Sequence, residues 1–231
     1  MDDMSTQTIK VKTWDDLVGE EYMQEGHGPS WRAMIDQMSE ADISGAKVLD
    51  FGCNRGGFLR MLYDMKPFKN AVGVDIATDS VAVANAQRGT RPIHYGHNDE
   101  LSAHKGSFDY AFSHEVVYLL PDMDAHAREI YDALKPGGVY YLVIGEYAEN
   151  PLWPRWYNVV HEFSPVPPLN YSLNDIASSF DKAGFAIAVN RLNCHGFFSY
   201  QAGGDRYIKN PLELVKFMTE YMMMFRLQKK A

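Results

Sequence analysis

Residues 48–59, VLDFGCNRGGFL, run from an apolar stretch through one aspartate into three glycines within six residues. The pattern predicts a buried strand that ends in a tight turn and reopens as a helix. Gly52 and Gly56 let the backbone turn sharply and let a ligand approach without a Cβ in the way. Such a turn brings backbone amides and a helix N-terminus to the mouth of a sheet.

The next strand ends at Asp75, 25 residues after Asp50, where a carboxylate can accept hydrogen bonds from both hydroxyls of a ribose. Glycine turns often serve packing and aspartates often cap helices, so each sign alone is weak. Together, at βαβ spacing, they predict a nucleoside site. The turn reads G-x-N-x-G-G rather than the dinucleotide fingerprint G-x-G-x-x-G, and Asp50 stands just before it. An acidic residue there suits a cationic ligand better than a pyrophosphate, and an aminoacyl nucleoside with an ammonium and a sulfonium fits that description.

Outward from this segment, short apolar runs alternate with amphipathic ones from about residue 46 to 192, the mark of a parallel sheet covered by helices. Strands are expected at Lys47–Asp50, Ala71–Asp75, Pro92–Tyr95, Phe108–Phe112 and Val139–Ile144, with helices at Gly57–Met65, Thr78–Gln87 and Asp124–Leu134. Gly137 and Gly138 read as a helix stop and a turn. Residues 14–40 suggest two short helices broken at Gly26-His27-Gly28. Asn150–Pro168, with five prolines, reads as an ordered lid more than a helix. Further on, Ser172 caps a helix to about Ala183, a strand follows at Phe185–Leu192, and Asn210-Pro211-Leu212-Glu213 opens a helix to about Glu220. Tyr221–Gln228 alternates as a final strand, with a helix through the methionines as its rival.

The 231 residues are 46% hydrophobic and 23% charged, with a net charge of -8 and a pI near 5.4, which speaks against nucleic acid as a partner. Cys53 and Cys194 form neither a disulfide framework nor a zinc spacing, and no cluster has convincing metal-ligand spacing. The start, MDDMSTQTIK, lacks the basic and apolar parts of a secretion signal, and no run suffices to span a bilayer. A cytoplasmic protein without membrane association is expected.

VLDFGCNRGGFL, VGVDIA, FDYAFSHEVVYLLPD and LKPGG, in that order, resemble the class I S-adenosylmethionine-dependent methyltransferases over residues 46–145. The resemblance implies a doubly wound, Rossmann-like α/β fold. Its seven-stranded sheet would be mostly parallel with an antiparallel last strand, behind an N-terminal helical cap. The cap would occupy residues 1–40 and the methyltransferase domain 41–231, with lid and substrate segments at about 146–170 and 193–220. It further implies that S-adenosylmethionine, leaving as S-adenosylhomocysteine, is held by Asp50, Gly52, Asn54 and Gly56 at its methionyl part and by Asp75 at the ribose. Ile76 would pack on adenine, and Asn98 or Asp99, with Glu100 adjacent, would meet its amino group. His114 would sit beside the methionyl chain, and Tyr22 and Trp14 would close the pocket.

Transfer of an activated methyl needs mainly alignment, plus a base where the acceptor must lose a proton. His114, Glu115 and Glu146 are the catalytic candidates, at the ends of two central strands. Against them stands the reading that His114 only bonds the cofactor or backbone and Glu115 caps the next segment. His161 reads best as a solvated loop residue. Trp153, Trp156, Tyr157, Phe163 and Tyr171 suggest a flat-walled apolar acceptor pocket, or else a lid core or dimer contact. The expected activity is methyl transfer to an oxygen or nitrogen, less readily a carbon, of a small-molecule acceptor, by a chain that could form a homodimer. The rival readings are an RNA or protein methyltransferase, a catalytically inactive partner subunit, and, more distantly, a nicotinamide-dependent dehydrogenase.

Overall fold

The computed structural model describes residues 20–164, 166–204 and 206–230, without the side chains of 20–25 and Phe163. Trp14 and the Tyr22 side chain therefore lie outside the described residues. Seven strands, β1 (Lys47–Phe51), β2 (Asn70–Asp75), β3 (Ile93–His97), β4 (Phe108–His114), β5 (Leu134–Ile144), β6 (Phe185–Arg191) and β7 (Met223–Lys229), form one sheet in the order 3-2-1-4-5-7-6. The first five pair in parallel, and β7 runs antiparallel to both β5 and β6. The order reverses at β1, so the tips of β1 and β4 flank the crevice where such sheets bind ligands.

Alternation along the buried strands builds two cores. Leu49, Phe51, Tyr140, Leu142 and Ile144 face one side, where α4 (Met123–Ala133), α5 (Trp153–Phe163) and α6 (Leu173–Ala183) pack. Val48, Phe112, Tyr141 and Val143 face the other, under α1 (Glu20–Asp36), α2 (Gly57–Met65) and α3 (Thr78–Gln87). The cap expected at Ser172 is present and takes the form of a capping box with Asp175, and Gly184 ends α6 in the left-handed region. Asn210 caps α7 (Pro211–Lys216), which runs on as a π-helical turn, Phe217–Tyr221, before the methionines enter β7.

Three expectations need correction. Residues 20–36 form one helix, α1, that continues through Gly26-His27-Gly28 and Pro29. Two glycines and a mid-helix proline cost about 5 kcal/mol relative to alanine. Burial of Trp31, Met34 and Ile35 returns about 1.5–3 kcal/mol for each, so packing decides. Residues 153–163 are likewise a helix, α5, where an ordered lid is expected more than a helix. Pro154 falls in the first turn, where no amide partner is required, and Trp153, Trp156 and Val160 make a buried stripe at helical spacing. Third, α4 stops at Ala133 and Leu134 already pairs with Phe108, so Lys135-Pro136-Gly137-Gly138 belongs to an irregular start of β5 and not to a separate turn. Gly138 is needed there because a Cβ would lie 2.9 Å from the Lys135 carbonyl oxygen.

Candidate active site

The β1–α2 turn is held from three directions. The amides of Gly52 and Cys53 both donate to the Val74 carbonyl of β2, at 2.8 and 3.0 Å. Asn54, in the left-handed region at φ 44°, donates its amide to Asp75 Oδ2 at 2.8 Å. Gly56, at φ 75°, has no room for a side chain: a Cβ would lie 2.4 Å from the Tyr95 ring, whose hydroxyl donates to the Gly56 carbonyl at 3.0 Å. At Gly52, φ 79°, a Cβ would lie 2.4 Å from Val116. These two glycines thus serve packing and conformation as well as access.

Asp75 ends β2 half-exposed, its Oδ1 accepting from the Ala77 amide at 2.9 Å. Asp50, on β1, is only 3% exposed, and its Oδ2 bonds to no described residue. Burial, and then the charge of Asp75, push its carboxyl up to about 8. An unpartnered buried carboxylate beside a second carboxylate calls for a cation. The ammonium and sulfonium of S-adenosylmethionine supply one, and the donor set at this edge therefore fits that cofactor. Ile76 follows, 41% exposed, as a free apolar surface at the tip of β2. Past β3, Asn98 opens a 3₁₀ turn with its Oδ1 buried and without a described partner. Asp99 is exposed and paired with His97 at 3.0 Å, while Glu100 turns to His94 at 2.8 Å.

The second edge lies over β4 and β5. His114 Nε2 meets Ser30 Oγ of α1 at 2.8 Å, and Ser30 Oγ donates to the His27 carbonyl at 2.8 Å. With the serine proton committed to that carbonyl, the contact is satisfied when Nε2 of His114 carries the hydrogen. The His27 ring stands 5.2 Å from that of His114 and the Trp31 ring 6.3 Å. Burial, followed by the neighbouring His27, holds His114 well below the usual histidine range, and burial takes His27 down to about 4. Both imidazoles are neutral at physiological pH and do not repel a sulfonium.

Glu115, at φ 57°, accepts the Gly145 amide through Oε2 at 3.1 Å, and its Oε1 is buried without a described partner. Glu146 follows β5. Desolvation raises its carboxyl to about 7, only partly offset by the amides of Glu146 and Gly145, and Oε2 is again without a described partner. Asn150, fully buried, donates to the Gly145 carbonyl at 2.6 Å. Phe217 of the π-helical turn closes over Gly145 and packs edge-on against Trp156 with ring centres 4.7 Å apart. Trp156 Nε1 donates to the Tyr207 carbonyl at 2.6 Å, and Arg155 bridges Glu213 at 2.7 Å, so α5 and α7 are clasped together.

Asp50, Gly52, Asn54, Gly56, Asp75 and Ile76 thus gather at one edge and His114, Glu115 and Glu146 at the adjoining one. His161 is exposed on the last turn of α5, Trp153 is a core residue bonded to Asn170, and Tyr171 bonds to the Leu120 carbonyl. Sequence reasoning missed His27, Ser30, Asn150 and Phe217. His27 stood in the expected helix break and Ser30 in the short helix after it, and no local pattern announces a contact across 84 residues.

A sequence model of the family described as a methyltransferase domain matches residues 21–188, most of the chain. The protein belongs to that family, the class I S-adenosylmethionine-dependent methyltransferases, and its cofactor is S-adenosylmethionine. Among curated relatives, an arsenite methyltransferase of Aquipseudomonas alcaligenes is 32% identical over 117 residues, which cover 45% of this chain and 34% of the relative. A trans-aconitate 2-methyltransferase of Deinococcus radiodurans is 33% identical over 95 residues, 41% of this chain and 36% of the relative. The chain thus spans about a third of the length of these relatives. Among solved structures, a chain of the Haloferax volcanii complex between the Trm112 methyltransferase activator and a methyltransferase superposes with a TM-score of 0.79 at 22% identity, covering 91% of this chain and 93% of that one. Likeness at that identity establishes the fold. Among the described residues no helix is long and apolar enough to cross a membrane, and no group of three or more His, Cys, Asp or Glu could hold a metal ion.

Proposed function

We propose that the protein transfers the methyl group of S-adenosylmethionine to an oxygen or nitrogen, less readily a carbon, of a small-molecule acceptor in the cytoplasm. The carrying observation is the pair of tip carboxylates: Asp50, buried with an unpartnered oxygen, beside Asp75 across the left-handed turn. The cofactor supplies a methyl already activated by positive sulfur. In this reading Asp50 ionises against the bound cation, the Gly52–Gly56 amides and Asn54 hold the methionyl part, and Asp75 takes the ribose. Ile76 meets the adenine face, and Asn98 is better placed than Asp99 for its amino group, because its buried oxygen lacks a partner. Neutral His114, fixed by Ser30, leaves the methyl path free of a competing positive charge. Glu115 and Glu146 face the acceptor beside Trp156 and Phe217.

The net charge of -8 and the Trp156–Phe217 ring pair at the acceptor edge favour a small molecule over RNA. Relatives named for arsenite and trans-aconitate methylation point the same way. Tritiated S-adenosylmethionine incubated with fractionated metabolites tests the reading: label should enter low-molecular-weight products, and label confined to RNA or protein would contradict it. His114→Ala should lower turnover more than S-adenosylhomocysteine affinity if the ring serves the acceptor. Equal losses would make it a cofactor contact.

A second reading, that activity requires an activator subunit, is favoured by one feature: Phe197 is fully exposed, and Leu212 and Val215 are also exposed on the same groove wall or beside it. Full turnover by the isolated chain would set it aside.

A further inference from the structure

Resting on the methyltransferase reading, we propose that the acceptor is a small amine whose nitrogen is seated between Glu115, Glu146 and the Phe217 ring. Three observations converge on Gly145. A Cβ there would lie 2.5 Å from the Phe217 ring and 3.3 Å from Glu115 Oε1, so the missing side chain brings an aromatic edge and a carboxylate oxygen to one spot. The Gly145 amide holds Glu115 Oε2 at 3.1 Å, and the same amide lies against the Glu146 carboxyl. Glu115 Oε1 and Glu146 Oε2, from the ends of two different strands, are both buried with no described partner.

A carboxylate only accepts hydrogen bonds, so two buried, unpartnered oxygens at the ends of paired strands require a ligand rich in donors. An ammonium offers three N–H groups and a positive charge, and an aromatic ring beside it adds attraction for the cation. A carboxylate, phosphate or phenolate acceptor would meet two acidic groups, and the guanidinium of α5, Arg155, is already bound to Glu213 and to the Tyr207 carbonyl. An alcohol would satisfy one oxygen and leave the other dry and unpaired.

The chemistry balances. A bound ammonium gives one proton to Glu146 Oε2, which frees the nitrogen lone pair. That lone pair forms the new N–C bond as the C–S bond breaks and its electrons pass to sulfur. The positive charge moves from sulfur to nitrogen, and the cofactor leaves as a neutral thioether. The methylated amine departs as a cation, and Glu146 returns its proton to water.

The test loads the protein with S-adenosylhomocysteine and titrates it by calorimetry with a panel of primary amines from butylamine to tryptamine. Each amine is compared with its hydroxyl and carboxylate isosteres. At least one amine should bind tenfold or more tighter than both isosteres. Glu115→Gln and Glu146→Gln should each weaken that amine about tenfold while leaving its alcohol and S-adenosylhomocysteine itself unaffected, which shows that the variants are folded. With tritiated S-adenosylmethionine the same amine should be labelled, and Glu146→Gln should lower turnover at least a hundredfold. Tighter binding of alcohols or acids, no binding by any amine, or amine affinity indifferent to both variants would overturn the inference while leaving the methyltransferase reading intact. Failure of S-adenosylhomocysteine to bind the wild-type protein would overturn both.

Discussion

The two edges of the crevice are built differently. The donor edge, at the tips of β1 and β2, is a local device: Asp50, Gly52, Asn54, Gly56 and Asp75 lie within 26 residues of sequence and are joined by backbone bonds to Val74 and Asp75. The acceptor edge, at the tips of β4 and β5, is a meeting place: α1 brings Ser30, the strands bring His114, Glu115 and Glu146, and the turn before β7 brings Phe217. Chemistry common to a family can be fixed in a short motif. On the proposed reading, what selects the acceptor would come from segments far apart in sequence.

If the donor edge is a single over-determined unit, its glycines should be the most sensitive positions. Gly56→Ala sets a Cβ 2.4 Å from the Tyr95 ring at φ 75° and should cost about 2–4 kcal/mol through strain and overpacking. Urea unfolding should report that loss, with S-adenosylhomocysteine affinity falling alongside. Asp75→Ala should cost about a hundredfold in cofactor affinity, or about 2.7 kcal/mol. It should also destabilise the free protein by about 1–3 kcal/mol, because the Asn54 and Ala77 amides lose their acceptor. Calorimetry and denaturation together would separate the two losses, and an unchanged affinity would remove Asp75 from the ribose.

Acidity sharpens the contrast between the edges in opposite directions. Asp50 is raised from 3.8 to about 8, so the folded, ligand-free protein holds a proton that the unfolded chain gives up. The stability this contributes is present below pH 4 and drains away as pH rises toward 8. Bound cofactor favours the ionised form and recovers it. The melting-temperature gain on adding S-adenosylmethionine should therefore be larger at pH 8 than at pH 6. His27 behaves the other way. Its pKa falls from 6.5 to about 4 on folding, so its contribution is present above pH 6.5 and is lost as pH falls toward 4. Acid titration should destabilise the wild type over that window, and His27→Phe should flatten the slope. The smallest effect belongs to Ser30→Ala, which removes one neutral hydrogen-bond bridge and should cost about 0.5–1.5 kcal/mol. It should lower turnover more than cofactor affinity.

The same contrast explains what could be read from sequence. The β1–α2 turn, Asp75 and the strands through β5 follow from periodicity and from glycines at fixed offsets, and β7 from its alternation. The antiparallel setting of the last strand came with the family resemblance and is present in the sheet. The unbroken α1 and the helix α5 escaped because glycine and proline are local signals, while the burial of Trp31, Met34, Trp153 and Trp156 that outweighs them is tertiary. Lys135–Gly138 escaped because pairing of Leu134 with Phe108 depends on a neighbour 26 residues away. Glu115 and Glu146 could be named from their place at strand ends. Their convergence on Gly145, and the ring of Phe217 above it, could not.

The central claim is that a cation completes the carboxylate pair at the tips of β1 and β2. Calorimetric titration of S-adenosylmethionine into wild-type protein and Asp50→Asn at pH 7, repeated in two buffers of different ionisation enthalpy, tests it most directly. The account predicts proton release on binding to the wild type, and at least tenfold weaker binding with no proton release in the variant. Equal affinity and equal proton release in the two proteins would contradict it.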